Sequence, residues 1–113
     1  MAAQRLAVVD GTQRVGTLTR VGGETTFTYA DDWRSDPVAT PVSVSLPLTA
    51  SVHGHDRIDP WLWGLLPDND RVLRRWGRLF QTTTKQPLGL LAAVGRDLPG
   101  RFRIVPEAEA DAR

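Results

Sequence analysis

The sequence predicts an α+β fold: a mainly antiparallel sheet, made of an N-terminal β-meander plus a closing strand, packed by two or three short helices. Three observations predict it. The first half of the chain alternates apolar and polar residues and is rich in β-branched types. The second half repeats apolar residues at helical spacing, and a last short apolar run returns to strand-like composition. With 113 residues, 41% hydrophobic and 24% charged, the chain suits one compact domain and is too short for two.

Residues 5–9 (RLAVV) predict the first strand, ending at Asp10-Gly11, where both turn positions tolerate positive φ. Residues 14–20 predict a second strand, with Val15, Thr17 and Thr19 on one side and Gly16 and Leu18 on the other. Gly22-Gly23 marks another tight turn, and residues 25–29 (TTFTY) predict the third strand. In residues 40–48, Val42, Val44 and Leu46 alternate with Ser43 and Ser45 between Pro41 and Pro47, which predicts a fourth strand. Residues 50–57 are polar and glycine-containing, and predict an exposed loop.

Asp59-Pro60 suits an N-cap and first helical position for a helix to about Leu66. Asp68 then caps a helix over 69–80, where Val72, Leu73, Trp76, Leu79 and Phe80 share a face. Pro87 opens a third helix over 88–94, with Gly95 after it. A final strand is expected over 101–105, so the domain spans 1–106 and 107–113 form a polar, frayed tail.

The composition narrows the chemistry. Fourteen Lys plus Arg balance 13 Asp plus Glu, so bulk charge gives no pull toward nucleic acid or an anionic membrane. No cysteine is present, which removes disulfides and thiolate metal sites. Apolar runs are only a few residues long and residues 1–9 lack a signal-peptide core, so a soluble cytoplasmic domain is expected. His53 and His55 sit two apart in a glycine loop, a spacing without ligand geometry, so no metal is expected. Asp56, Asp59, Asp68 and Asp70 could pair as acid and base, but aspartates at helix starts more commonly cap N–H groups. No nucleophile elbow or phosphate-binding glycine motif occurs, and Gly95-Arg96-Asp97 lacks the other parts of a kinase site. No cofactor and no catalytic residue is predicted.

Two features point to binding instead. Arg71, Arg74, Arg75 and Arg78 form a stripe on the second helix, suited to phosphates or carboxylates, although a solvated helix face is the default. In residues 60–67 (PWLWGLLP), apolar side chains cover the helix almost all round, and a small domain has little interior for both Trp61 and Trp63. A tryptophan left at the surface beside a polar Asp68-Asn69 rim has the composition of a protein–protein hot spot, and two indoles shared between core and helix packing are an equal alternative.

Four segments occur in a telling order: Arg14-Val15-Gly16-Thr17-Leu18, Ser43-Val44-Ser45-Leu46-Pro47-Leu48, Gly64-Leu65-Leu66-Pro67-Asp68-Asn69 with Arg71, and Gly95-Arg96-Asp97 with Gly100 before Pro106. Together, from about Arg5 to Pro106, the chain resembles the N-terminal subdomain of the HipA-type toxin kinases of bacterial toxin–antitoxin systems. The resemblance implies a non-catalytic domain, because the segments that carry ATP, the catalytic aspartate and the metals in those kinases have no counterpart here. It further implies a free-standing HipS-like antitoxin that binds and neutralises a HipA/HipT-type serine/threonine kinase, beside a helix-turn-helix HipB-like protein. The alternative is an excised N-terminal domain of a full-length HipA kinase, with an interdomain or oligomerisation role. Direct DNA binding through the arginine helix is the reading of another class. The partner-binding residues expected on this basis are Trp61, Trp63, Leu65, Pro67, Asp68, Asn69 and Arg71, with Arg74, Arg75 and Arg78 as electrostatic contacts. Arg101-Phe102-Arg103 depart from the small residues usual in the family after Gly100, as a surface adapted to binding in trans would.

Overall fold

The structure is a computed structural model that describes residues 4–11, 13–43, 45–66, 69–81, 87–95 and 101–107. Five strands, β1 (Gln4–Asp10), β2 (Gln13–Val21), β3 (Glu24–Tyr29), β4 (Val52–His53) and β5 (Arg103–Pro106), form one sheet in the order β4-β3-β2-β1-β5. Every neighbouring pair is antiparallel. Four helices accompany it: α1 (Asp31–Ser35), α2 (His55–Gly64), α3 (Asp70–Leu79) and α4 (Pro87–Val94). The α+β class and the meander with its closing strand are therefore as the sequence predicts. None of the helices among the described residues is long and apolar enough to cross a membrane.

The meander forms where the turn chemistry demands it. Gly22 and Gly23 both take positive φ, +60° and +85°, in a two-residue turn that joins Val21 to Glu24. Within β2 the alternation breaks: Val8 faces Gly16 but Val9 faces Arg14, leaving Val15 as an extra residue. This bulge turns Val15 into the core beside Leu18, instead of onto the face shared by Thr17 and Thr19. Gly16 is then pressed against β3, where an added Cβ would meet the Phe27 ring and lie 2.6 Å from the Thr28 carbonyl oxygen.

One face of the sheet carries the main core. Leu6, Val8, Leu18, Phe27, Tyr29 and Ile104 meet Ile58 and Leu62 of α2 and Leu88, Leu90 and Leu91 of α4, all essentially sealed from water. Each such aliphatic side chain contributes about 1.5–3 kcal/mol by leaving water. On the opposite face, one cross-strand row runs Val52, Thr28, Thr17, Ala7, Val105. Ala7, Val9 and Val105 form a small second cluster there. Arg5 and Arg14 each come within 3.7 Å of the Glu107 carboxylate, tying the end of β5 to β1 and β2. Residues 108–113 of the expected tail lie outside the described residues.

Several local expectations are corrected. The alternation over 40–48 predicts a strand, yet no strand forms among the described residues there, and Val44 lies outside them. The backbone groups go elsewhere: Tyr29 Oη donates to Leu46 O (2.5 Å), Val42 N–H donates to that same hydroxyl (3.0 Å), and Leu46 N–H closes a turn on Ser43 O. Leu46 plugs the core from a loop. The fourth strand lies later, at Val52–His53, inside the stretch expected as an exposed loop. His53 is buried, its Nε2 3.0 Å from Pro47 O and its ring edge-on to Tyr29. The helix α1 has no counterpart in the sequence reading; it buries Trp33, whose Nε1–H donates to Thr40 O. Finally α2 begins after Gly54 instead of Asp59, so Pro60 lies inside the helix and Asp59 is not its cap.

Candidate partner-binding surface

Ile58 and Leu62, one turn apart on α2, are fully buried and fix which way the helix faces. Residues two apart on a helix point in directions about 160° apart, so Trp61 and Trp63 lie on opposite flanks of that buried line. Each is half-buried and packs against the core by part of its indole. The Trp61 ring sits 6.0 Å from that of Phe27, tilted by 52°. Neither tryptophan is sealed and neither is free in solvent, so the expectation of one buried and one surface indole gives way to two shared between core and water.

Leu65 follows as the residue that ends α2, half-buried, its N–H on Leu62 O (3.1 Å). Pro67 and Asp68 lie outside the described residues. The cap of α3 is Asn69 and not Asp68: its Oδ1 accepts from Arg71 N–H at 2.9 Å and Val72 N–H at 3.3 Å. Arg71, Arg74, Arg75 and Arg78 all project into solvent. Their guanidinium groups have no ion-pair partner among the described residues. The structure thus places Trp61 and Trp63 on opposite flanks of one helix with Leu65 at its end, followed by Asn69 and the arginine stripe on the next.

The other candidates do structural work. His55 Nδ1 accepts a hydrogen bond from Thr25 N–H at 3.0 Å, which fixes the start of α2 to β3. Asp56 and Asp70 are exposed in the first turns of different helices, and Asp59 is half-buried within α2. Among the described residues, no three His, Cys, Asp or Glu side chains come together to hold a metal ion. Of Arg101-Phe102-Arg103, where a surface adapted to binding in trans was one expectation, Phe102 packs against the core while Arg101 and Arg103 stay exposed. The Arg101 guanidinium sits 5.4 Å from the ring centres of both Trp33 and Phe102, and bonds Asp10 (2.9 Å) and Thr40 (3.0 Å). What the sequence reading missed is at the end of α3. Leu79 and Phe80, expected on a packed face, are 67% and 39% exposed.

Fold and surface define a small α+β module whose helical side ends in half-covered aromatic and exposed basic residues. The chain belongs to the HipA N-terminal domain family, whose pattern it matches over residues 6–105. It is 28% identical over 85 residues to Y4mE of Sinorhizobium fredii (strain NBRC 101917 / NGR234), a protein named as a candidate kinase. That match covers 75% of this chain and 20% of the relative. A solved complex of HipA, HipB and operator DNA from the Shewanella oneidensis MR-1 toxin–antitoxin system contains the same fold, with a TM-score of 0.78 at 24% identity. There the match covers 90% of this chain and 24% of the other. The chain therefore spans between a fifth and a quarter of the length of these relatives.

Proposed function

We propose that this chain is a non-catalytic regulatory module that binds a HipA/HipT-type serine/threonine kinase, and that it serves as the antitoxin of a three-part toxin–antitoxin system. Membership of the HipA N-terminal domain family supports a place beside such a kinase. The observation that carries the reading is the pair of half-buried tryptophans on α2. Indoles held rigid by the core on one edge, with the other edge open, are the anchors that dominate protein interfaces. In this reading Trp61 or Trp63, with Leu65, seats on the kinase, Asn69 and Arg71 rim the contact, and Arg74, Arg75 and Arg78 supply charge around it.

Co-expression with the neighbouring HipA-type kinase gene tests it. The expected results are restored growth and co-purification of the two proteins. Trp61→Ala or Trp63→Ala weakens binding by about thirtyfold or more, near 2 kcal/mol, while circular dichroism confirms that each variant stays folded. Wild-type affinity in both variants overturns the site, and growth arrest despite co-purification overturns the antitoxin role. A second reading, an interdomain segment of one long HipA kinase, is favoured by the short share of each relative that is matched. An uninterrupted reading frame into a kinase supports it, and a separate kinase gene alongside supports the antitoxin.

A further inference from the structure

Helix α3 rests on the rest of the chain along a narrow line. Leu73 and Trp76 pack against the core, and Gly77 is buried beneath them. Val72 is only half-buried and Leu79 is largely exposed. At about 100° of turn per residue, Val72 and Leu79 lie two turns apart on one line, beside the core contact. Arg71 and Arg78 repeat the same interval on a parallel line further round, and Arg75 falls between the two lines. Phe80, the cap residue one turn after Trp76, lies on the other side of the helix, toward the core contact. Four exposed arginines face a single acid on this helix, Asp70 in its first turn.

We propose that this flank of α3 docks an acidic amphipathic helix carried by another protein. The charge pattern selects the partner. A helix with leucine-type residues spaced seven apart and glutamates or aspartates alongside would cover Val72 and Leu79 and pair Arg71, Arg75 and Arg78, as the flanking charges of a coiled coil do. Duplex DNA would meet the arginines but leave the adjoining apolar strip unused. A membrane-binding helix needs a broad apolar face, and here Leu73 and Trp76 are already taken by the core. The inference does not use the tryptophans of α2, and it shares with the proposed kinase contact only the arginines of α3, so a probe without any kinase tests it separately.

The test is an NMR titration of the isotope-labelled full chain, at about 0.15 M salt so that long-range attraction is screened. Four probes are compared: a designed leucine–glutamate amphipathic peptide, a scrambled peptide of the same composition, a random-sequence DNA duplex, and phosphatidylserine vesicles. The expected result is saturable binding of the amphipathic peptide, with shifts centred on Val72, Arg75 and Leu79. Leu79→Asp and Arg75→Glu each weaken that binding by about tenfold or more. Both sites are exposed, so the variants keep their amide spectra, while Arg57→Glu, a charge reversal at an exposed position of α2, leaves peptide binding unchanged. Equal binding of the scrambled peptide overturns the proposal, as does tighter binding of DNA or vesicles. Unchanged affinity in both α3 variants also overturns it.

Discussion

Tyr29 joins strand to loop through a single oxygen. Its hydroxyl donates to Leu46 O and accepts from Val42 N–H, which holds the 42–46 stretch over the core without a ladder. Tyr29→Phe keeps the ring contact with Phe27 but strands a buried carbonyl, and should cost about 1–3 kcal/mol in denaturant unfolding. Burial raises the phenol above its ordinary value of 10.0, opposed in part by the Val42 hydrogen bond. Above that ordinary value the unfolded chain gives up the proton while the folded site retains it. Stability from this group is therefore complete below about pH 10 and falls as pH climbs through the raised value. Unfolding followed from pH 9 to 11 should show that decline in the wild type and a flatter profile in Tyr29→Phe. Gly16 is the other sensitive point: Gly16→Ala drives a methyl into Phe27 and the Thr28 carbonyl, and thermal unfolding should report a loss of about 1–3 kcal/mol. Neither property was legible beforehand, since a glycine in an alternating run and a tyrosine at a strand end look ordinary until their neighbours are known.

At the scale of the element, legibility followed the locality of the signal. Gly22-Gly23 needs only its own backbone preference to make a turn, and the meander was readable from it. Residues 40–48 carry a true period of two, but Pro41 and Pro47 withhold donors and the Tyr29 hydroxyl takes the groups a neighbouring strand would have used. A strand as short as Val52–His53 has too few residues to display any period. The helix starts show the same competition. Asn69 caps α3 through its side chain, whereas α2 starts at Gly54 with no side-chain cap, its first turn tied instead by His55 to Thr25. Asn69→Ala should cost about 1 kcal/mol by thermal denaturation, and Asn69→Asp should restore most of it. For the candidate surface, composition marked Trp61, Trp63 and the arginines. How far each indole is covered depends on Phe27 and on how α2 turns, and that is long-range information.

For the whole molecule, the closing strand decides the order of dependence. β5 pairs with β1, and Ile104 enters the same core as Leu6 and Val8, so the two ends of the chain complete one another. A chain stopped before Arg101 loses that partner for β1 and the Arg101 link to Asp10 and Thr40. It should fail to unfold cooperatively, whereas the full chain should show one transition, with tryptophan fluorescence and far-ultraviolet dichroism coinciding. The four tryptophans make the comparison direct, because Trp33 is sealed in α1 and Trp61, Trp63 and Trp76 are each packed against the core.

Parts of the sheet's rims are already engaged. On the β3 side, Thr25 N–H is held by His55 and Tyr29 N–H by Ser51 O. On the β5 side, Gly95 lies so close to Ile104 that a methyl there would be 2.7 Å from its Cβ, and Pro106 ends the strand without a donor. At these positions a visiting strand finds no free donor with which to extend the array. Where the backbone is already engaged, recognition is written in side chains, and a few substitutions on the helical side can redirect this module to a new partner while its scaffold stays the same.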